Sequence, residues 1–153
     1  MQPACIRERG RPEPWLFPAK SVDGRGVGEP GPGKPLPGIV RRVLQPFFKV
    51  DLRKVRVYQG IPEWLAKRSA VQNPAAMSYR YNIYVAPGYA DLFKPSGWRT
   101  LIHELRHVEQ FDREGSAMYT RYRGFTGQRG YWANPYEQDA YRFEKAVAAK
   151  LGL

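Results

Sequence analysis

Residues 96–115 read SGWRTLIHELRHVEQFDREG, and this stretch decides most of the fold. Its apolar residues at 98, 101, 102, 105 and 108 follow the 3.6-residue spacing of one helix face. Ser96 is the predicted N-cap and Gly115 the predicted stop. The stretch therefore predicts a long amphipathic helix, and this helix carries the only two histidines of the chain.

The two histidines stand four residues apart, so both imidazoles project from the same side of the predicted helix and can reach one metal ion. Glu104 lies next to them, where a carboxylate can take a proton from a zinc-activated water. This pattern, His-Glu-x-x-His, predicts His103 and His107 as ligands of Zn²⁺ and Glu104 as the catalytic carboxylate. The alternative is a helix with two buried, hydrogen-bonded histidines.

A catalytic zinc ion needs a third protein ligand and an open position. The chain has no further histidine, and its single cysteine, Cys5, cannot build a cysteine cage. A predicted C-terminal helix supplies the remaining carboxylates, of which Glu137 is favoured, with Glu144 and Asp139 as alternatives. Glu137 also fits a capping box with Asn134, in which it would bond to the cap backbone.

A metallopeptidase also needs a donor aimed at the oxyanion that develops during the reaction. Tyrosine hydroxyls and one guanidinium are available for this role, and their spacing does not choose between them. The candidates are Tyr84, Tyr119, Tyr122, Tyr131 and Arg123.

Length and composition indicate one soluble globular domain, since the chain has 153 residues and 42% of them are hydrophobic. No apolar run approaches the roughly 18 residues that a membrane span requires. The N-terminus lacks the apolar core of a signal peptide. We therefore expect a cytoplasmic protein, unless it is exported by a route that reads no such signal.

The formal net charge is +11, and its distribution limits what the charge means. Residues 1–50 carry 9 basic and 4 acidic side chains, residues 51–100 carry 8 and 3, and residues 101–153 carry 8 and 7. The surplus is dispersed and comes with no base-reading or base-stacking motif, which argues against nucleic acid as the main partner. A basic, polyanion-binding protein whose metal site is incidental is the least favoured of three hypotheses for the function.

Proline and glycine divide the chain into two parts. Residues 1–38 hold 8 of the 14 prolines and 7 of the 15 glycines, a composition that sustains neither helix nor sheet. We predict a flexible Pro/Gly-rich leader at 1–35 and one folded domain at 36–153.

Within the folded part the patterns predict more helix than strand, in an α+β arrangement. A first helix is predicted at 39–48, with Ile39, Val43 and Phe47 on its apolar face and Val40 and Leu44 flanking that face. Residues 115–133 read as a Gly-interrupted, aromatic and basic loop. The other predicted elements are a strand at 55–58, a helix at 62–71, a hairpin of strands at 77–79 and 83–85, and a C-terminal helix that opens at 134–137.

Several segments match a known family in order. They are LP at 36–37 with VRRVLQPFF at 40–48, VRVYQG at 55–60, NIYVAPG at 82–88 and HELRHVEQ at 103–110. Together they resemble the eCIS core domain, a metallopeptidase-type domain found in polymorphic toxins and beside extracellular contractile injection systems. The resemblance covers about residues 36–112. The segment NPYE at 134–137 looks like the third-ligand helix of some relatives.

The resemblance implies a small zincin-like domain with an HExxH motif and a downstream glutamate, in the manner of gluzincins. It matches His103 and His107 to the zinc ligands and Glu104 to the catalytic carboxylate. Tyr58 stands where relatives often have histidine, and Arg106 where threonine is common.

The leading hypothesis is a hydrolase that cuts a peptide or protein substrate lying as a strand against the hairpin at 79–85. The second hypothesis is a non-catalytic module that zinc staples together, in an injection system or a toxin.

Overall fold

The computed structural model describes residues 30–69, 71, 74–87, 89 and 91–153, together with the backbone of residues 4–7. The elements within these residues are, in chain order, β1 (Ala4–Arg7), β2 (Lys34–Pro35), α1 (Gly38–Leu44), a 3₁₀ turn (Gln45–Phe47), a second 3₁₀ turn (Leu52–Lys54), β3 (Arg56–Gln59), α2 (Glu63–Ala66), β4 (Pro74–Tyr79), β5 (Asn82–Val85), α3 (Pro95–Glu114), α4 (Ala117–Arg129) and α5 (Pro135–Leu151). None of these helices is long and apolar enough to cross a bilayer.

The strands form one mixed sheet in the order β1-β4-β5-β3-β2. β3 and β5 run parallel, and every other neighbouring pair is antiparallel. Helix α3 packs against α5, β4 and β1, so it lies at the centre of the molecule. The predicted α+β class is therefore confirmed.

The predicted leader contributes two strands to this sheet, which the prediction did not allow for. β1 pairs with β4 and β2 pairs with β3, although both precede residue 36. Both are edge strands of the described sheet, where proline and irregular backbone are tolerated because one side needs no ladder partner. Residues 1–3 and 8–29 of the predicted flexible leader lie outside the described residues.

Helix α1 is rotated relative to its prediction. Ile39, predicted to be buried, is 63% exposed, whereas Val40 and Leu44 are 2% and 0% exposed and form the buried face. Val43 and Phe47 are only partly buried against the core. The apolar stripe is broad enough for either orientation, and packing against the rest of the core chooses between them.

Helix α2 is shorter than predicted. Only Glu63–Ala66 is helical, instead of residues 62–71. The Ser69 hydroxyl donates to the Val71 carbonyl oxygen and accepts from the Val71 amide, and this local turn replaces the expected helical hydrogen bonds.

The predicted hairpin is confirmed, with β4 starting three residues earlier than expected. Arg80 takes a left-handed conformation (φ 56°) at the turn, and its amide donates to the Tyr119 hydroxyl. The hairpin is thereby attached to α4.

Helix α3 covers the predicted range but starts differently. Lys94 takes the N-cap position without a side-chain cap, so Ser96 is not the cap. Gly97 is required near the start, because a Cβ there would meet the Asp91 carbonyl oxygen at 2.0 Å. Gly115, at φ 68°, ends the helix as predicted.

The segment 115–133, expected to be a Gly-interrupted loop, is largely helix α4. Gly124 and Gly127 lie inside it, and their low helix propensity is overridden by the burial of Met118, Tyr119 and Tyr122. Helix α5 follows, capped as predicted by the Asn134 side chain, which accepts from the Tyr136 amide.

Candidate metal centre

Helices α3 and α5 bring three ligand-type atoms to one point. His103 Nε2 lies 3.0 Å from Glu137 Oε1, and His107 Nε2 lies 3.1 Å from the same oxygen. The two Nε2 atoms are 3.2 Å apart. Among the described residues, His103, His107 and Glu137 form the one histidine–carboxylate group that could hold a metal ion.

The triangle of ligand atoms has the size that a small tetrahedral ion needs. Ligand atoms at about 2.0–2.1 Å from such an ion lie roughly 3.3 Å from each other. The observed separations of 3.0–3.2 Å are close to that value. The donor set therefore fits zinc in both chemistry and spacing.

The other ring nitrogen of each histidine is held by an acceptor. His103 Nδ1 lies 3.2 Å from Glu144 Oε2, and His107 Nδ1 lies 2.7 Å from Gln110 Oε1. Both acceptors place the ring hydrogen on Nδ1, which leaves both Nε2 lone pairs free to bind a metal. Glu144, an alternative third ligand in the sequence, thus supports His103 from behind.

Gln110 is itself fixed by two hydrogen bonds. Its Nε2 donates to the Tyr136 carbonyl oxygen at 3.1 Å and to Asp139 Oδ2 at 2.9 Å. Asp139, the other alternative ligand, therefore bonds to Gln110 and does not join the histidines. Gln110 was missed from the sequence, although its position three residues after His107 places it on the same helix face.

Arg106 extends this support. Its guanidinium donates to both carboxylate oxygens of Asp139, at 2.7 and 3.1 Å, and to Glu109 Oε1 at 2.6 Å. Glu109 in turn accepts from the backbone amides of Lys49 and Val50. Hydrogen bonds of Arg106 and Glu109 thus link α3 to α5 and to the loop after α1.

Tyrosine hydroxyls surround Glu137. Tyr122 donates to its Oε2 at 3.0 Å, and Tyr131 donates to its Oε1 at 3.1 Å. The Asn134 amide donates to the Tyr131 carbonyl oxygen, so the reciprocal half of the predicted capping box is not formed. The carboxylate of Glu137 is directed to the histidines and tyrosines.

The predicted oxyanion donors are mostly occupied elsewhere. Tyr122 and Tyr131 hold Glu137, Tyr119 accepts from the Arg80 amide, and Tyr84 stacks on Tyr58 with ring centroids 4.8 Å apart. Arg123 is exposed on α4. The structure gives none of them a contact that selects it for that role.

Tyr141 is an addition that the sequence did not single out. Its ring centroid lies 4.4 Å from that of His103, and Trp132 stacks on the Tyr141 ring with centroids 5.8 Å apart. The two rings lie close to the histidine side of the centre and contribute to its burial.

Glu104 is the unusual member of the site. It is fully buried, and neither of its carboxylate oxygens has a hydrogen bond of normal geometry to the described residues. Burial raises its pKa to about 7 and outweighs the neighbouring His107 and His103, which lower that pKa. An unpaired buried carboxylate costs stability, which is a common sign of a functional constraint.

Without a bound metal ion, His103 and Glu137 carry opposite charges. Burial lowers the pKa of His103, but hydrogen bonds to Glu137 and Glu144 outweigh it and raise that pKa to about 10. Burial raises the pKa of Glu137, but the nearby histidines outweigh it and bring that pKa to about 2. A metal ion that binds His103 Nε2 therefore has to displace a proton, which makes metal binding weaker at low pH.

The fold and site together define a class: a small α+β domain whose central helix carries a buried HExxH motif. The family model of the eCIS core domain matches residues 35–115, just over half of the chain. The chain belongs to the eCIS core domain family, and the resemblance predicted over residues 36–112 is confirmed. No curated protein and no solved structure matches it. Glu137 and α5 lie beyond the matched residues, so their assignment depends on geometry.

Proposed function

We propose that this protein is a zinc-dependent metallopeptidase that hydrolyses peptide bonds. The observation that carries the proposal is the unpaired, buried carboxylate of Glu104 next to three convergent ligand atoms. A purely structural metal site requires the ligands alone and has no use for such a carboxylate. The family match supports a metallopeptidase-type domain.

His103, His107 and Glu137 would hold the ion. Zinc, when bound, supplies a Lewis acid that lowers the pKa of water and polarises a carbonyl group. Glu144 and Gln110 orient the two imidazoles, so the ligand geometry is set before the ion arrives.

Glu104 would act as the general base and then as the general acid. Its carboxylate takes a proton from the attacking water and delivers it to the leaving amine, after which it returns to its starting state. A buried, unpaired carboxylate suits this task, because no hydrogen bond must be broken to receive the proton.

The test compares Glu104→Gln with the native protein. Native protein should contain about one zinc ion per chain and should hydrolyse a broad, fluorescently quenched peptide library. Glu104→Gln should keep the zinc and lose activity by roughly 10²-fold or more, the scale of general acid–base catalysis. Glu63→Gln, an identical change on an exposed carboxylate of α2, is the matched control.

A purely structural role for the metal ion is a second candidate function, because the three candidate ligands are buried. His103 and Glu137 are 0% exposed and His107 is 1% exposed, as expected for an ion that only joins α3 to α5. Native protein and Glu104→Gln that both bind zinc and both leave the library intact would favour this structural role. Native protein with well under one zinc per chain would refute both.

A further inference from the structure

We propose that the outer edge of β4 is the peptide-binding edge of the metal centre, and that the chain's own segment Ala4–Arg7 occupies it in place of an extended peptide. The inference deepens the proposed function and rests on it. It names the substrate as an extended segment or chain terminus that adds to the sheet as a strand, a common mode of peptide recognition.

β1 runs beside the candidate site. β1 runs antiparallel to β4, with Ala4 opposite Ser78. Ser78 lies on β4, which packs against α3, and its side chain is a near neighbour of Glu104. Neighbouring strands lie only about 5 Å apart, so the backbone of β1 passes close to the catalytic carboxylate. β1 also packs against α3, the helix that carries the ligands.

The order of the strands in the sheet points to the same edge. A substrate strand was predicted to lie against the hairpin of β4 and β5, but neither outer edge of that hairpin is open. β3 covers the edge of β5, and β3 and β2 continue the sheet away from β4. The edge beside α3 is that of β4, and β1 covers it.

The β1–β4 ladder is irregular at one end. β1 has four residues, and its register shifts between Ile6 and Arg7. Arg7 faces Pro74, which has no amide hydrogen to donate. The backbone hydrogen bonds of this ladder read no sequence, so another extended peptide can form the same bonds to β4.

The experiment uses the full-length protein with two prolines in β1, Cys5→Pro together with Ile6→Pro. Alternate residues of an edge strand direct their amides to the neighbour, so changing both removes the donor whichever faces β4. Gly24→Pro together with Gly26→Pro is the control pair outside β1. Hydrogen exchange of residues 75–79, zinc content and hydrolysis of fluorescent casein are measured on all three proteins.

In the β1 variant, exchange of the β4 amides that face β1 should become about tenfold faster, with zinc content unchanged. Casein hydrolysis should rise by about tenfold, the factor expected for losing one or two ladder hydrogen bonds. A synthetic peptide of residues 2–8, added in excess, should restore slow exchange and inhibit hydrolysis. The control pair should behave like the native protein.

Equal exchange in the β1 variant and the control pair would overturn the proposal, whatever the activity. Faster exchange with hydrolysis that is measurable but unchanged would also overturn it, because the substrate would then not use this edge. Faster exchange that the peptide reverses, with no hydrolysis by any of the proteins, would support the peptide-binding edge and refute the peptidase function.

Discussion

Each histidine of the candidate metal centre has Nδ1 next to an acceptor, while its Nε2 belongs to the triangle of candidate ligand atoms. The acceptor of His103 is Glu144 on α5, and that of His107 is Gln110 on α3. A ring held in this way loses little freedom when an ion binds, so the acceptors contribute to metal affinity without touching the metal.

Replacing Glu144 by alanine should weaken zinc binding by about 10–100-fold while leaving one zinc per chain at saturation, because the acceptor that orients His103 is lost. Competitive titration against a chromophoric chelator measures the affinity. Glu63→Ala, an exposed carboxylate on α2, is the control and should bind zinc like the native protein. A stoichiometry that falls well below one would instead make Glu144 a ligand.

Gly97 in α3 and Gly124 in α4 occupy positions with different steric requirements. Gly97 lies in the first turn of α3, where any Cβ would collide with the Asp91 backbone. Gly124 lies inside α4, with no atom within 4 Å of the position a Cβ would take. The first glycine is required by packing, and the second is a cost in helix propensity.

Gly97→Ala should therefore lower the free energy of unfolding by about 2 kcal/mol or more, because α3 must shift away from Asp91. Gly124→Ala should raise it by up to about 1 kcal/mol through better helix propensity. Urea unfolding of the two variants and the native protein measures both effects. A Gly97→Ala variant as stable as the native protein would show that Gly97 is not constrained by the contact with Asp91.

Local sequence patterns predicted some helices and strands correctly and missed others. The hairpin and α3 were predictable because their periodicity and their turn and stop residues agree. Helix α4 was not, since its glycines argue against a helix and only the burial of its tyrosines maintains one. The rotation of α1 was also hidden, because its apolar residues cover more than one face.

Helices α3 and α5 pack against each other along the core and at the candidate metal centre. The proposed ion joins two helices that the chain separates by α4, so it should stabilise the complete fold. Without it, three polar side chains and Glu104 remain buried at the centre, which is expensive even with their mutual hydrogen bonds.

Chelation should therefore lower the stability of the native protein by about 4 kcal/mol relative to free zinc held at a thousand times its dissociation constant. Thermal unfolding with EDTA and with excess zinc measures the difference. Glu137→Ala should respond much less, since it lacks one ligand. Identical transitions of the native protein in both conditions would contradict the metal-stapled fold.

The sequence by itself determined the HExxH helix, the spacing of its two histidines, the α+β class and the family, because these depend on local periodicity and on short ordered motifs. It could not choose among Glu137, Asp139 and Glu144, since all three lie on one helix within about two turns. The packing of α5 against α3 made that choice: it turns Glu137 to the histidines, gives Asp139 to Arg106, and places Glu144 behind His103. Tertiary structure alone also buried Glu104 without a partner and placed Ala4–Arg7 at the edge of β4, because both depend on contacts between segments far apart in the chain.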